Sequence, residues 1–569
     1  MLKNLINKFN LNNYKKKPFF ETGIYIVIFL FFVLSSSYIS YPDEFINILA
    51  GSSILHGLKP YVQFFDHHAP LAWYLASFFL IFSFKSFILF RLYYAIFTFL
   101  VLFVLSRWIK KKFSDLYPYY LGFFFVYPIA GLYYWFHLFL ADSLAILFFS
   151  VSFWILISKS LNKDRSLKPL IISSIFVFLM VFSSLSYIYL AVALYIWHAY
   201  LLGFKNIKKL GLLVLWSVTP YVLYLLYLFA TNSFKEFYFA NFVYNTQLYI
   251  SIPNYVRGSG FNPLKFAATL IYNFLQGYMP LLTKIKYLDL YLPTGVLAGL
   301  SSFVLFFLLF INNWIFGVLY FFILAFSAPR SALNTFDETD YQSGFFLMLG
   351  VASAFIVLYI LRKLKNNSDL FDDLKRVSRF LISVFLIFSI VFLASNFYNK
   401  LFLRRTQQLP SIYDSSSTRE LINFVIDDGD YFWIGPYEPA DIFYADKGKA
   451  PGKYPSLLPQ FREREDLKKD FIKQLEENTP KIIIYKNQAS IFGTPAIEFG
   501  KFFLDWVDKR YTQLQFIKEV ELIKNPSFFD LKTDLYILNK DKKEMLNKFE
   551  KAGYIKFKTV LSESDEDSS

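Results

Sequence analysis

Two groups of polar side chains near the start of the chain have the residue types for acid–base or metal chemistry. Asp43 and Glu44 are adjacent carboxylates, and Asp66, His67 and His68 follow further along. A carboxylate can accept the proton of a reacting hydroxyl group. Carboxylate oxygen and imidazole nitrogen also bind divalent metals, and a protonated imidazole binds phosphate. Both groups are therefore candidate parts of a reaction centre, provided that the fold holds them in place.

The composition places these groups in a membrane protein. The chain has 569 residues, of which 56% are hydrophobic and 22% aromatic, and apolar runs such as 297–310 repeat too often for one soluble core. It has no cysteine, which excludes disulfides and cysteine-ligated metals. The formal net charge is +15, but lysines and arginines cluster beside the apolar runs. Basic cytoplasmic loops explain them without a nucleic-acid partner.

The apolar runs predict about 11 membrane-spanning helices within residues 24–400, with the basic clusters on the cytoplasmic side. The basic segment 1–23 then lies in the cytoplasm before a retained first helix, and the chain is a multi-pass protein of the cell membrane. An odd number of spans places the C-terminal region outside. The predicted spans are 24–40, 87–107, 117–134, 142–158, 169–186, 187–203, 210–231, 288–311, 314–329, 343–361 and 380–397.

Residues 41–86 are predicted to form a large first outer loop. Its apolar run 70–83 has about 14 residues, which is short for a crossing and typical of an interfacial helix. Asp43 is also suited to cap the helix that follows it. A second long outer segment, 232–287, contains the apolar run 266–282, and the sequence leaves open whether this run crosses the membrane.

The order of these features resembles the C-type (GT-C) membrane glycosyltransferases. A basic N-terminus and one span precede Asp43 and Glu44, then KPYVQFFDHHAPLAWYL, an interfacial helix and Arg91. Over roughly residues 20–160 the chain is similar to protein O-mannosyltransferases and lipid A aminoarabinose transferases (glycosyltransferase families 39 and 83), which carry an acidic pair in the first outer loop. The resemblance implies inverting transfer of a sugar from a polyprenyl-phosphate donor to a protein, lipid or glycan acceptor on the outer face.

The resemblance implies catalytic or binding roles for the acidic pair and for one arginine. A lipid-phosphate leaving group is weakly basic, so it needs charge neutralisation rather than a protonating acid. Asp43 is then the catalytic base, while Glu44 orients the loop or contacts the acceptor. Arg91 is a candidate phosphate contact, because an arginine inside an apolar span requires an anion or a wet cavity. Neutralising an internal carboxylate is its alternative role.

The predicted phosphate site departs from the family pattern. Ala69 stands before Pro70, where related enzymes have a lysine. His67 and His68 are the substitutes as phosphate contacts. Together with Asp66 they are also candidate ligands of a divalent metal, and a purely structural interfacial role is the third alternative.

Three more residues complete the candidate site. Arg330, in a polar turn between two late spans, is a second candidate phosphate contact, or part of an ordinary solvated loop. Lys59 is a candidate substrate contact. Asp142 lies at the outer end of the fourth predicted span, where related enzymes often use an acidic residue to contact sugar, acceptor or metal; helix capping is its alternative role.

The region 401–560 is predicted to be an extracytoplasmic α/β domain. Short β-rich runs at 431–435, 481–486 and 535–538 alternate with helical stretches at 463–477 and 496–509. The turn-rich sequence IGPYEPADIFYADKGKAPGKYP suits acceptor or sugar binding, or a structural cap on the outer loops. The acidic tail 561–569 is predicted to be disordered.

Two other functions stay open at this stage. A transporter or flippase of a lipid-linked substrate would show internal repeats and charges near the membrane midplane, and no clear repeat is visible. A lipid-linked glycan polymerase or ligase also works on the outer face, but such proteins carry a large outer loop late in the chain, whereas here the informative loop is the first.

Overall fold

The chain divides into two compact units. A computed structural model describes residues 18–248, 262–283, 292–327, 341–364, 369–403, 422–516, 534–551 and 557–559. We call the first unit the helical unit; it consists of Met1–Ile39, Ile88–Thr219 and Ala267–Gln408. We call the second the mixed unit; it consists of Ser40–Phe87, Pro220–Phe266 and Leu409–Ser569. The predicted acidic tail lies outside the described residues.

Long apolar helices make up most of the chain before residue 404. In chain order the described helices are α1 (Pro18–Ser35), α2 (Pro42–Leu55), α3 (Leu71–Ser83), α4 (Phe87–Lys112), α5 (Tyr117–Tyr133), α6 (Ala141–Leu161), α7 (Leu167–Ser183), α8 (Ile188–Leu202), α9 (Ile207–Ala230), α10 (Phe234–Tyr238), α11 (Pro263–Thr283), α12 (Leu292–Asn312), α13 (Trp314–Phe326), α14 (Tyr341–Lys363) and α15 (Asp369–Tyr398). The π-helical segments Phe239–Leu248 and Asn399–Leu403 continue α10 and α15.

Seven helical segments in the described residues are long and apolar enough to cross a membrane, by length and composition. They are Phe87–Lys112, Ala141–Leu161, Leu185–Leu202, Ile207–Ala230, Thr294–Asn312, Gly344–Lys363 and Lys375–Leu403. The segments of α6 and α14 are 94% and 89% buried, so these two helices are central, whereas that of α15 is 22% buried and faces outward. These helices are compatible with a polytopic helical membrane protein.

Every predicted span coincides with a helix in the described residues, although the number of crossings stays a prediction. The apolar run 70–83 forms α3, whose 13 residues reach only about 20 Å and are too few for a crossing. The run 266–282 forms α11, which is not among the seven candidate segments. Whether α11 crosses the membrane therefore stays open.

Helix α2 begins one residue before Asp43. Its N-cap is Tyr41, and Pro42 occupies the first helical position, where the fixed φ of proline fits a helix and its missing N–H group is not needed. Asp43 and Glu44 lie in the first turn, where the exposed backbone N–H groups favour negative charge. The interpretation of Asp43 as the N-cap is therefore wrong, because Pro42 starts the helix earlier.

Helices α2 and α3 pack closely at Gly51. A Cβ atom on Gly51 would lie 2.5 Å from the Cβ of Ala76 and 2.7 Å from the backbone nitrogen of Ser77. Gly51→Ala is expected to destabilise the mixed unit by about 1–3 kcal/mol through overpacking, which would lower the melting temperature of the purified protein. In Gly23→Ala, the control on α1, the new Cβ meets nothing within 4 Å. Equal melting temperatures of Gly51→Ala and the wild-type protein would contradict the close packing of α2 against α3.

A five-stranded sheet lies in the C-terminal part of the mixed unit. Its order is β1 (Phe432–Gly435), β2 (Ile482–Tyr485), β6 (Asp534–Leu538), β5 (Tyr511–Phe516) and β7 (Phe557–Thr559). Strands β1 and β2 are parallel and the other pairs antiparallel, while β3 (Ser490–Ile491) and β4 (Thr494–Pro495) pair separately. The described helices here are α16 (Pro439–Tyr444), α17 (Glu465–Glu477), α18 (Ala496–Phe499), α19 (Lys501–Val507) and α20 (Lys542–Lys551).

Alternation along β1 gives the sheet two buried faces. Phe432 and Ile434 join an aliphatic cluster, whereas the ring of Trp433 packs 4.8 Å from the ring of Phe503 and 5.6 Å from that of Phe471. Strands are confirmed at all three predicted runs and helices at both predicted stretches, while β5 and β7 were not predicted. The extracytoplasmic location of this region stays a prediction.

Candidate functional site

The carboxylate of Asp43 accepts a hydrogen bond from a residue far along the chain. Tyr437 Oη donates to Asp43 Oδ1 at 2.9 Å, and both residues are half-buried. Tyr437 lies between β1 and α16, in the turn-rich segment 434–455. A phenol that donates to a carboxylate orients it and stabilises its charged form. The C-terminal part of the mixed unit therefore holds the predicted base in one orientation.

The same segment 434–455 contacts the first predicted outer loop at further points. The backbone nitrogen of Phe65 donates to the carbonyl of Lys453 at 2.7 Å, and the rings of Phe45 and Tyr444 lie 5.9 Å apart. These contacts all lie within the mixed unit. They support the structural role that the sequence left open for this segment, while acceptor binding stays a prediction.

Glu44 has a different environment from its neighbour. Its side chain is 0% exposed, whereas Asp43 is half-buried. Successive residues on a helix point about 100° apart, so one carboxylate faces Tyr437 while the other points into the protein. A buried carboxylate is stable only with polar or charged compensation, and the N-terminal end of α2 supplies part of it. Asp43 is therefore the better placed of the two to meet a substrate.

Asp66, His67 and His68 come together as the sequence predicted. The Nδ1 atoms of His67 and His68 lie 3.2 and 3.0 Å from Asp66 Oδ1, and the two imidazole rings are 4.1 Å apart. Burial on its own would raise the pKa of Asp66, but the charge of His68 and the hydrogen bonds from both histidines hold this pKa well below its usual range. The Asp66 side chain is therefore a buried carboxylate anion between two imidazoles.

Two side chains hold the backbone of His67 and His68. Asn245 Nδ2 donates to the carbonyl of His67 at 2.8 Å, and Tyr61 Oη donates to the carbonyl of His68 at 2.9 Å. Both contacts belong to the mixed unit. The group is therefore built into the fold and is not part of a free loop.

Arg91 lies in the helical unit and is fully buried. Its guanidinium donates to the carbonyls of Tyr38 and Ile39, at 3.2 and 3.0 Å. These carbonyls follow the end of α1 and lead the chain toward Asp43. Arg91 therefore anchors this turn. A phosphate contact by Arg91 stays a prediction.

Two further basic residues of the helical unit, His137 and Lys400, are also buried. The ammonium of Lys400 lies 5.3 Å from the ring centre of Tyr38 and 5.6 Å from that of Tyr133. Burial lowers the pKa of His137 well below its usual range, and the charges of Arg91 and Lys400 add to the effect. His137 is therefore neutral near pH 7.

A small cavity lies beside Arg91 and His137, within the helical unit. Its volume is about 20 Å³, which is room for about one water molecule. A sugar phosphate is many times larger, so this cavity cannot hold a donor headgroup in the conformation described.

Asp142 also belongs to the helical unit and is buried. Leu140 occupies the N-cap of α6 and Asp142 lies in the first turn, so the capping interpretation is wrong by two positions. Tyr187 Oη donates to Asp142 Oδ1 at 2.8 Å. A sugar or acceptor contact by Asp142 stays a prediction.

Two predicted site residues remain, Lys59 and Arg330. Lys59 is exposed, and its backbone nitrogen donates to Gln63 Oε1; its substrate role is not tested. Arg330 lies outside the described residues. The predicted phosphate site of His67, His68, Arg91 and Arg330 thus combines residues of both units with one that is not described, and it stays a prediction.

Comparison with models of known protein families gives no match, and comparison of the sequence with curated proteins gives none either. The chemistry of the site therefore has to be argued from its own residues.

The sequence did not reveal two residues that support the site, Tyr437 and Asn245, nor the burial of Lys400 in the helical unit. Tyr437 and Asn245 bind to groups 394 and 178 residues away, and pattern alone does not show such pairs. Lys400 stands at the end of the last predicted span, where a basic residue is ordinary. The local sequence gives no signal that Lys400 is buried.

Proposed function

We propose that this protein is a membrane glycosyltransferase of the GT-C type. It transfers a sugar from a polyprenyl-phosphate donor to an acceptor on the outer face of the membrane, with Asp43 as the base. The observation that carries the proposal is the half-buried Asp43 carboxylate, held by Tyr437 at 2.9 Å in the first turn of α2. The ordered sequence features around this residue give the same assignment.

The proposed step needs one base and no protonating acid. The acceptor oxygen forms a bond to the anomeric carbon and inverts it. The bond from that carbon to the phosphate oxygen breaks, and its electron pair leaves with the phosphate. The acceptor proton passes to Asp43. Because the lipid phosphate departs as a stable anion, cations near it are sufficient to assist its departure.

The composition of the mixed unit supports the proposed sidedness. It joins the first predicted outer loop, much of the second and the C-terminal region, which the basic clusters independently assign to one side of the membrane. Loop segments that pack together in one compact unit are expected on the same side of the membrane, which agrees with this assignment. We propose a multi-pass cell-membrane protein with the N-terminus in the cytoplasm and the C-terminal region outside, on the basis of the basic clusters.

The positions of charged residues favour an enzyme over a transporter. In the described part of the helical unit, Arg91 is near the start of α4, Asp142 near the start of α6, and Lys400 follows α15. Charges that take part in transport lie near the membrane midplane, at broken helices. The buried charges here lie close to helix ends, as expected for a reaction at the membrane surface.

Donor binding tests the proposal. Native mass spectrometry of the purified protein is expected to show selective retention of polyprenyl phosphate over polyprenol of the same chain length, because the phosphate supplies the charge that the site recognises. Equal retention of both lipids would contradict a phosphate-recognising site.

Tyr437→Phe is expected to slow transfer about tenfold, because a hydrogen bond to a charged group is lost. Without that donor the charged form of Asp43 is less stable, so the pKa of Asp43 rises. A base must be deprotonated to act, so the acid limb of the pH–rate profile should move to higher pH. Tyr431→Phe, also half-buried in this region, is the control. An unchanged acid limb in Tyr437→Phe would show that Tyr437 does not influence the protonation of Asp43.

A further inference from the structure

Asp66, His67 and His68 together offer two imidazole nitrogens, which bind metals in their neutral form, and one carboxylate oxygen, which is anionic. One ligand atom from each residue lies within 4.8 Å of the others. The side chains are 6%, 10% and 19% exposed, in chain order. An ion held by them would therefore be almost enclosed, with access to water beside His68.

We propose that these three residues bind one divalent transition-metal ion, with Zn²⁺ as the best fit. Ligands about 2.0–2.1 Å from a tetrahedral zinc lie about 3.3 Å from one another. The two contacts between imidazole Nδ1 and Asp66 Oδ1, 3.2 and 3.0 Å, are close to that separation. The metal takes the position of the hydrogen-bonded Nδ1 protons: a charged ring releases its Nδ1 proton to solvent water, and a neutral ring keeps its proton on Nε2.

The backbone supports the site before a metal arrives. The backbone N–H of His67 donates to Asp66 Oδ1 at 2.6 Å, an outer contact of the kind that orients a ligating carboxylate. The contacts of Asn245 and Tyr61 with the carbonyls of His67 and His68 fix the turn. Little ordering of the chain is then needed on binding, which favours affinity.

The ligand set selects the kind of metal. Imidazole nitrogen suits zinc, copper, iron and nickel, whereas Mg²⁺ and Ca²⁺ prefer oxygen ligands. Two histidines and one carboxylate are also the ligand set of many catalytic zinc sites, where a fourth position binds water or substrate. The proposed site therefore has an open position, and it does not depend on the proposed transferase function.

Calorimetric titration of the chelator-stripped, full-length protein with Zn²⁺ tests the site. One equivalent is expected to bind, and His67→Gln with His68→Gln is expected to weaken binding by about 100-fold or more. His56→Gln removes an exposed histidine and should leave binding unchanged. Absence of stoichiometric binding, or equal binding by the double variant, would overturn the site.

X-ray absorption of the zinc-loaded wild-type protein keeps the test independent of how the variants fold. The spectrum should show nitrogen and oxygen neighbours at about 2.0–2.1 Å, with the scattering pattern of two imidazole rings. A spectrum without imidazole scattering would refute the assignment even if zinc binds.

Discussion

Asp43→Asn is expected to lower the rate of sugar transfer by about 10²–10⁴-fold, the usual contribution of a positioned general base. Asparagine has nearly the same shape, and its amide oxygen can still accept the hydrogen bond from Tyr437. Expression, insertion and melting temperature should therefore change little. The assay follows release of polyprenyl phosphate from polyprenyl-phosphate sugars in proteoliposomes supplied with cell-derived acceptors, so the acceptor does not have to be identified in advance.

Asp505→Asn provides the matched control, because Asp505 is an exposed carboxylate on α19. The control variant should transfer sugar at the wild-type rate. Glu44→Gln separates the roles of the two adjacent residues: it changes a fully buried side chain and is expected to act mainly on stability. Wild-type activity in Asp43→Asn would remove Asp43 from the mechanism.

Arg91→Met is expected to cause a large loss of stability. Hydrogen bonds from a charged donor contribute about 1.5–3 kcal/mol each, and this variant removes the two guanidinium bonds to the carbonyls of Tyr38 and Ile39. Arg91→Lys keeps the charge but lacks the planar fork that reaches two acceptors, so it should restore stability only partly. Melting temperature and size-exclusion profile of the purified protein measure both effects.

Arg107→Met on the same helix is the control, since Arg107 is 55% exposed and pairs with Glu21 at 3.2 Å. Exposed ion pairs contribute little to stability, so this variant should melt close to the wild type. If Arg91→Met also melts normally and loses only donor binding, Arg91 acts as a phosphate contact and not as an anchor of the turn after α1.

Hydrophobic patterning predicted the helices because membrane crossing requires long apolar runs with internally bonded backbones. It also predicted β1, β2 and β6, whose inward residues are strongly apolar. Strand β5, with the sequence YTQLQF, was not predicted because two adjacent polar residues, Thr512 and Gln513, interrupt the apolar–polar alternation that indicates a strand. The residue pattern therefore located the helices and strands that are strongly apolar. It missed the strand whose formation depends on pairing with neighbouring strands.

The acidic pair and the Asp66 group were identified from residue type and spacing, but their surroundings were not. The start of α2 depends on Pro42, and the orientation of Asp43 depends on Tyr437, a contact across 394 residues. Such contacts are products of tertiary packing, which no local pattern encodes. The same holds for the buried state of Lys400.

The fate of the donor tests the central claim most directly. Purified protein in proteoliposomes is given doubly labelled polyprenyl-phosphate sugars together with cell-derived acceptors. Transfer predicts that the sugar label leaves the lipid and that one polyprenyl phosphate appears for each sugar transferred. Movement of the intact sugar lipid between leaflets, with both labels still joined, would contradict the account and identify a transporter instead.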